Sequence, residues 1–228
     1  MKKVCVLGAS GFVGKNLLQG MQWIGVTRQD LDLTDQVAVE KYFRTHEYDV
    51  VIHCAVIGGS RLKPDDGDVI HKNILMFENV VRVFKGKLIY FSSGAALRGN
   101  PPTDPYGLSK WMIDKRIKTI DKAYSLRIWG CYGPGELSTR FSAVCREKGH
   151  VIITKDKYFD FIDIKYVCDI VKDYVNGIRH EKELNLVDPD TKLLSEWATF
   201  FGATYEIENT SELDEAYVLK IPNKCIVR

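Results

Sequence analysis

Residues 3–14 read KVCVLGASGFVG: a short apolar run from Lys3 to Leu7, glycines at Gly8, Gly11 and Gly14, and the start of an amphipathic stretch from Phe12 to Met21. An apolar run of that length reads as a buried strand and the stretch after it as a helix, so the glycines occupy a strand-to-helix turn. Backbone N–H groups and the positive end of the helix dipole converge on such a turn, which suits an anion. Glycine there permits a tight bend, close approach of a pyrophosphate and close helix–strand packing. The spacing is G-x-x-G-x-x-G, and an ordinary glycine-rich turn is the competing reading. Its place at the first strand–helix junction favours a dinucleotide-binding loop.

The alternation continues outward. Trp23–Thr27, Asp49–Cys54, Lys87–Ser92 and Tyr124–Trp129 read as strands, and Gln36–Thr45, Val69–Phe84 and Tyr106–Asp121 as helices. Continuous apolar runs such as Val50-Val-Ile52 suit strands covered on both faces, which predicts a doubly wound, Rossmann-type α/β fold with a parallel sheet. Beyond Gly133-Pro-Gly135 the rhythm loosens into a helix over 138–148, short strands near Val151 and Phe161, a helix over 167–177, a strand over 184–187 and a helix over 195–201. The expected division is a dinucleotide-binding domain over 1–135. Residues 136–228 would complete it and add a small, shortened substrate-binding lobe. The charged tail from Glu206 ends in an expected minor helix over 212–219.

Among the 228 residues, 32 Lys and Arg face 30 Asp and Glu, giving a net charge of +2. That leaves no basic excess for a nucleic acid or an anionic membrane surface, and no apolar run long enough to span a bilayer appears. The apolar run at the start stops at Gly8, too early for a secretory signal. Six scattered cysteines without a C-x-x-C pair predict a reduced, cytoplasmic protein, and five dispersed histidines predict no metal site. The acceptor pattern Asn209-Thr-Ser211 reads as a polar turn in that setting.

Two further stretches bear chemistry. Tyr106 and Lys110 in Pro105-Tyr-Gly-Leu-Ser-Lys110 lie four apart, on one face of a helix. An ammonium so placed can draw a phenol's pKa down from about 10 and make it a proton donor or acceptor. Any exposed helix can carry this pair, and alone it says little. Upstream, Leu88-Ile-Tyr-Phe-Ser-Ser-Gly94 ends a strand with two hydroxyls at the carboxyl edge of the sheet, where α/β proteins bind ligands. Serines also end strands as plain turn residues. With the loop and the Tyr/Lys helix they read as a carbonyl-reducing site.

In order and spacing, Gly8-Ala-Ser-Gly-Phe-Val-Gly14, Asp32-Leu-Thr-Asp35, Asp49-Val-Val-Ile-His-Cys-Ala55, Asn73, Phe91-Ser-Ser93, Tyr106-Gly-Leu-Ser-Lys110, Leu126-Arg-Ile-Trp-Gly-Cys-Tyr-Gly-Pro134 and Phe161-Ile-Asp-Ile164 resemble the extended short-chain dehydrogenase/reductases. These are the NAD(P)-dependent nucleotide-sugar epimerases and dehydratases, and the likeness runs from Met1 to about Phe201. Thr27-Arg-Gln-Asp-Leu-Asp-Leu33 and Ala55-Val-Ile-Gly-Gly59 look most like the branch of GDP-fucose synthase and dTDP-4-dehydrorhamnose reductase. The resemblance implies that Gly8, Ser10, Gly11, Phe12, Val13 and Gly14 hold the pyrophosphate, with Asp32 and Leu33 on the adenine side. Cys54, Ala55 and Val56, with Ser92, would border the nicotinamide end. It implies Tyr106 as acid/base, Lys110 as its electrostatic partner and a ribose ligand, Ser93 on the substrate oxygen, and Asn73 as support.

The chain departs from the family pattern in several places. Gly94 stands where many relatives place a serine or threonine, Gly130 where an asparagine precedes Tyr-Gly-Pro, and Phe159 where an arginine meets the substrate diphosphate. Arg140 is the substitute expected for that arginine. The expected function is NAD(P)-dependent C4 ketoreduction of a 4-keto-6-deoxyhexose nucleotide, alternatively 4-epimerisation or a non-catalytic NADP-binding regulatory role. NADP is expected over NAD because Arg28 ends the second strand, where a 2′-phosphate would lie. The helices over 69–84 and 106–121 form a dimer interface in many relatives, so the resemblance implies either a homodimer through them or packing of the same faces within one chain.

Overall fold

The computed structural model describes residues 2–60 and 62–209. The elements begin β1 (Val4–Leu7), α1 (Phe12–Leu18), β2 (Ile24–Val26), α2 (Gln36–Thr45), β3 (Val50–His53), α3 (Gly67–Val83) and β4 (Lys87–Ser93). A 3-10 turn (Gly94–Leu97) leads to α4 (Pro105–Ile117), β5 (Ala123–Ile128), β6 (Gly130–Tyr132), α5 (Phe141–Lys148) and β7 (His150–Lys155). There follow β8 (Tyr158–Phe159), β9 (Phe161–Asp163), α6 (Ile164–Asn176), β10 (Glu183–Leu186), β11 (Lys192–Leu193), α7 (Leu194–Phe200) and β12 (Thr204–Asn209).

Contacts divide the chain into two units, one of residues 1–127 and 168–184 and the other of residues 128–167 and 185–228. The main sheet of the first has strand order β10-β5-β4-β3-β1-β2. β1 pairs in parallel with both β2 and β3, and β3 in parallel with β4. Every residue of β1 and β3 is buried, as expected of strands covered on both faces. The chain leaves β1 for β2 on one side and returns past it to β3 on the other, so the strand order reverses at β1. That reversal opens a crevice at the carboxyl ends of β1 and β3, where ligands of open α/β sheets bind. Cys5, Leu7, Val51, Phe77, Val80 and Ile113 are among the residues of this unit's core.

Local chemistry sets the helix ends. The Asp35 carboxylate accepts from Ala38 N at the start of α2, and the Asp104 carboxylate accepts from Gly107 N at the start of α4, where Pro105 takes the first helical position. α1 stops at Leu18, three residues short of the expected end, because Gln19 is extended and Gly20 lies at φ +69°. α4 likewise ends at Ile117 rather than Asp121, and α5 starts at Phe141 rather than Ser138, with Arg140 as its N-cap.

The second unit has an aromatic core around Tyr132, Phe159, Phe161, Trp197 and Phe201. The Trp197 indole donates to Phe159 O at 2.7 Å. Four short strands here, β6, β8, β11 and β12, have no counterpart in the sequence reading. The segment from Glu206, read as a charged tail, is strand through Asn209 because β12 pairs in parallel with β7, Thr204 opposite His150. The expected helix over 212–219 and the Thr210-Ser211 turn lie outside the described residues, as does Cys225. Among the described residues no two cysteines are joined in a disulfide.

Candidate active site

A cavity of about 230 Å³ lies at the strand-order reversal. Its lining includes Gly8, Ser10 and Gly11 from the loop after β1, Arg28, Asp32 and Leu33 from the segment after β2, and Cys54, Ala55 and Val56 from the segment after β3. The glycines make the shape possible. A Cβ on Gly8, which lies at φ +80°, would stand 2.6 Å from Ala55 N, and one on Gly14 would stand 2.4 Å from the Gly8 carbonyl oxygen. No side chain fits either gap, so the ends of β1 and β3 meet backbone to backbone. Phe12, Val13 and Gly14 open α1 outside the cavity lining. Leu31, Thr34, Ile57 and Met76 also line it, and sequence reasoning missed all four. Met76 was within reach, since it lies three residues after Asn73 on one helical face.

The acids after β2 are tied to their own loop. The Asp30 carboxylate accepts from the Thr27 N–H and hydroxyl at 2.8 and 2.6 Å. Asp32 Oδ1 accepts from the Thr34 N–H and hydroxyl at 2.9 and 2.7 Å, which holds this carboxyl below the usual range. Its other oxygen meets the Arg28 guanidinium at 3.4 Å, and the Arg28 side chain is 78% exposed.

Asn73, on α3, is buried and clamps the segment after β3. Its Oδ1 accepts from Ile57 N and its Nδ2 donates to Ile57 O, both at 2.9 Å. The same Nδ2 reaches Ser109 Oγ at 3.1 Å, and that hydroxyl donates to the Tyr106 carbonyl at 2.7 Å. One amide thus joins the cavity wall to the first turn of α4. Asn73→Ala leaves both polar groups of Ile57 without these partners and should lower the unfolding free energy by about 2–4 kcal/mol, read from urea melts. A loss under about 0.5 kcal/mol would show that the clamp contributes nothing.

Tyr106 is the second residue of α4 and half-buried. Its ring faces the loop after β3, where a Cβ on Gly59 would lie 2.9 Å from the ring carbons. Lys110, one turn on, is buried, and its ammonium is 5.7 Å from the Tyr106 ring centre. Its hydrogen bonds go elsewhere: Nζ donates to Tyr90 Oη at 2.9 Å and to Phe91 O at 2.7 Å. Desolvation draws the Lys110 pKa down to about 7, with Asp114 pulling the other way. At the end of β4 the Ser93 hydroxyl accepts from Ala95 N at 3.2 Å, opening the 3-10 turn. The Ser92 hydroxyl is buried and has no hydrogen-bond partner. That turn presses on α4, since a Cβ on Gly107 would stand 2.8 Å from the Ala95 carbonyl.

Arg140 belongs to the second unit, where its guanidinium donates to Cys131 O at 3.2 Å. The departures at Gly130 and Phe159 are linked there. A Cβ on Gly130 would lie 2.5 Å from the Phe161 ring and 2.8 Å from the Phe159 ring, so the two phenyl groups fill the space of a longer side chain. Among the described residues no group of three or more His, Cys, Asp or Glu is placed to hold a metal, and no helix is long and apolar enough to cross a membrane.

The reversed strand order and the glycine loop define a Rossmann-type α/β protein. Residues 4–183 match the NAD dependent epimerase/dehydratase family, and the chain belongs to it. UDP-glucose 4-epimerase of Bos taurus is 26% identical over 209 residues, 73% of this chain and 60% of that protein. GDP-L-fucose synthase of Azorhizobium caulinodans is 40% identical over 89 residues, 35% of this chain and 28% of that protein. The chain therefore spans three-fifths or less of the length of these curated relatives. In fold it is similar to a dTDP-4-dehydrorhamnose reductase from Clostridium acetobutylicum, with TM-score 0.76 and 18% identity over 90% of this chain and 83% of that one. A GDP-mannoheptose C4 reductase from Campylobacter jejuni with NADP bound gives TM-score 0.75 and 18% identity over 94% and 89% of the two chains.

Proposed function

We propose that this chain is an NADP(H)-dependent reductase of the C4 carbonyl of a 4-keto-6-deoxyhexose nucleotide. The observation that carries the reading is the cavity at the strand reversal, with a glycine loop on one wall and Arg28 in its lining. A dinucleotide fits that chemistry: loop N–H groups for the pyrophosphate, Leu31 and Met76 for an apolar base, and a guanidinium for a 2′-phosphate. The bound nicotinamide supplies the hydride. Tyr106 delivers the proton to the carbonyl oxygen, Lys110 tunes that phenol and meets the nicotinamide ribose, and Ser93 holds the oxygen. Ser92 borders the nicotinamide end, and Arg140 takes the substrate diphosphate. We place the enzyme in the cytoplasm as a homodimer, the first on its six scattered cysteines without a C-x-x-C pair. GDP-L-fucose synthase and the structurally similar GDP-mannoheptose C4 reductase support a nucleotide-linked sugar by their names, and the second supports reduction at C4.

Purified chain given NADPH and either GDP- or dTDP-linked 4-keto-6-deoxyhexose should consume NADPH with one of them. The second reading, a 4-epimerase, is favoured by the likeness to UDP-glucose 4-epimerase over 209 residues. It requires NAD that survives desalting and interconversion of UDP-hexoses without added cofactor, and that result would displace the reductase.

The cofactor preference gives its own expectation. The acids near Arg28 are engaged with Thr27 and Thr34, and the 78% exposed Arg28, whose acidic contact is the long one to Asp32 at 3.4 Å, is the group proposed to meet a 2′-phosphate. Arg28→Ala should weaken NADPH about tenfold, the scale of one exposed charge-assisted bond, and leave NADH within twofold. Calorimetric titration of both cofactors at one ionic strength measures this, and equal losses for the two would exclude the assignment.

A further inference from the structure

We infer that Tyr90 is a positioning residue for Lys110, fixing its ammonium so that one N–H remains directed to the reacting end of the site. This rests on the reading of Tyr106 and Lys110 given above. An ammonium has three donors. Tyr90 Oη and the Phe91 carbonyl take two of them at 2.9 and 2.7 Å, and both acceptors belong to β4, the strand that ends in Ser92 and Ser93. A tetrahedral group held at two corners has its third N–H direction fixed, and the Tyr106 ring centre is 5.7 Å from Nζ.

Tyr90 suits the task because it is itself immobile and neutral. It is 2% exposed and wedged edge-on against Phe77 and His53, with ring centres 5.3 and 5.5 Å away. Burial, with Asp114 nearby, keeps its phenol well above the ordinary value, so it stays a protonated acceptor. The other groups facing Lys110 are Tyr106 and Asp114 from α4, His53 from β3 and Cys54 just after it. Burial leaves His53 neutral, with a pKa lowered to about 4, and pushes the Cys54 thiol up, so Asp114 is the one opposite charge among them. Tyr90 thus supplies a neutral oxygen that stabilises the charged form of Lys110 in a dry site.

The sign follows. Removing an acceptor from a buried ammonium favours the neutral amine, so Tyr90→Phe should lower the Lys110 midpoint by about one to two units. Competitive acetylation of Lys110 across pH reads this in the intact chain without turnover. Phe77→Leu, which trims the ring packed on Tyr90, should reduce thermal stability and leave the midpoint in place. With substrate, Tyr90→Phe should cut kcat about tenfold and shift the pH limb set by the Tyr106 phenol upward, since the neighbouring charge is lost. An unmoved midpoint overturns the inference, as does an equal shift in Phe77→Leu. A shifted midpoint in a chain that turns over no nucleotide sugar supports the positioning and defeats the reductase reading instead. Should Tyr90→Phe fail to fold, a solvent-protected Lys110 ammonium resonance with a cross-peak to the Tyr90 ring in the wild-type chain supports the inference, and its absence overturns it.

Discussion

Tyr106→Phe should reduce kcat for the proposed nucleotide-sugar reduction by about 10²–10⁴, the usual worth of a positioned general acid, while NADPH affinity stays within about threefold. The ring is what packs: it stands at the first turn of α4 against the Gly59 loop, and phenylalanine keeps that contact. The hydroxyl is the proton donor of the proposed reaction, and Phe removes it together with the group that Lys110 is proposed to tune. Single-turnover kinetics beside a calorimetric titration separates the two effects. A variant that kept more than a tenth of wild-type kcat would remove Tyr106 from the chemistry.

Gly8→Ala should abolish dinucleotide binding in practice, weakening it at least about 100-fold, and should also lower the melting temperature. Alanine at φ +80° costs about 1–2 kcal/mol in backbone conformation alone. The larger cost is steric, because the new methyl would stand 2.6–2.9 Å from backbone atoms of Cys54 and Ala55, and backbone cannot swing aside as a side chain tip can. The ends of β1 and β3 must part, and the cavity between them changes shape. Gly20→Ala is the matched control, since its φ of +69° is similar and nothing lies within 4 Å of the added carbon. It should lose stability by about 1–2 kcal/mol and bind NADPH normally. Equal behaviour of the two variants would show that the close approach at Gly8 is not what shapes the site.

The parts of this molecule that its sequence discloses are those decided within a few residues. β1, the glycine loop and α1 announce themselves because an apolar run, a turn that only glycine tolerates and an amphipathic stretch follow one another directly. α2 begins and ends where the sequence places it, Asp35 capping Ala38 and the apolar period running out at Thr45. What escapes is decided by distant partners. β12 pairs with a strand more than fifty residues upstream, and its exposed acids read as a tail until β7 lies beside it. In the site, the four-residue spacing that puts Tyr106 and Lys110 on one helical face is legible. That the ammonium turns to Tyr90, twenty residues back on β4, is not, because no periodicity links them. The serine pair is divided in the same way. Both side chains are foreseeable at the strand end, but only the fold shows Ser93 engaged with Ala95 while Ser92 is buried without a partner.

The first unit is discontinuous along the chain, taking residues 1–127 and then 168–184. Most of α6 and the start of the outer strand β10 are therefore made only after residues 128–167 have been added to the chain. Until then β5 is an open edge, and Arg127 lacks Glu183, its partner beside Asp114. A nascent chain paused before Lys182 presents a nearly complete sheet with an unprotected flank, the kind of surface that pairs with a neighbouring chain. The longer the delay before Glu183 is made, the longer β5 stays uncovered, and aggregation of paused chains should rise with it.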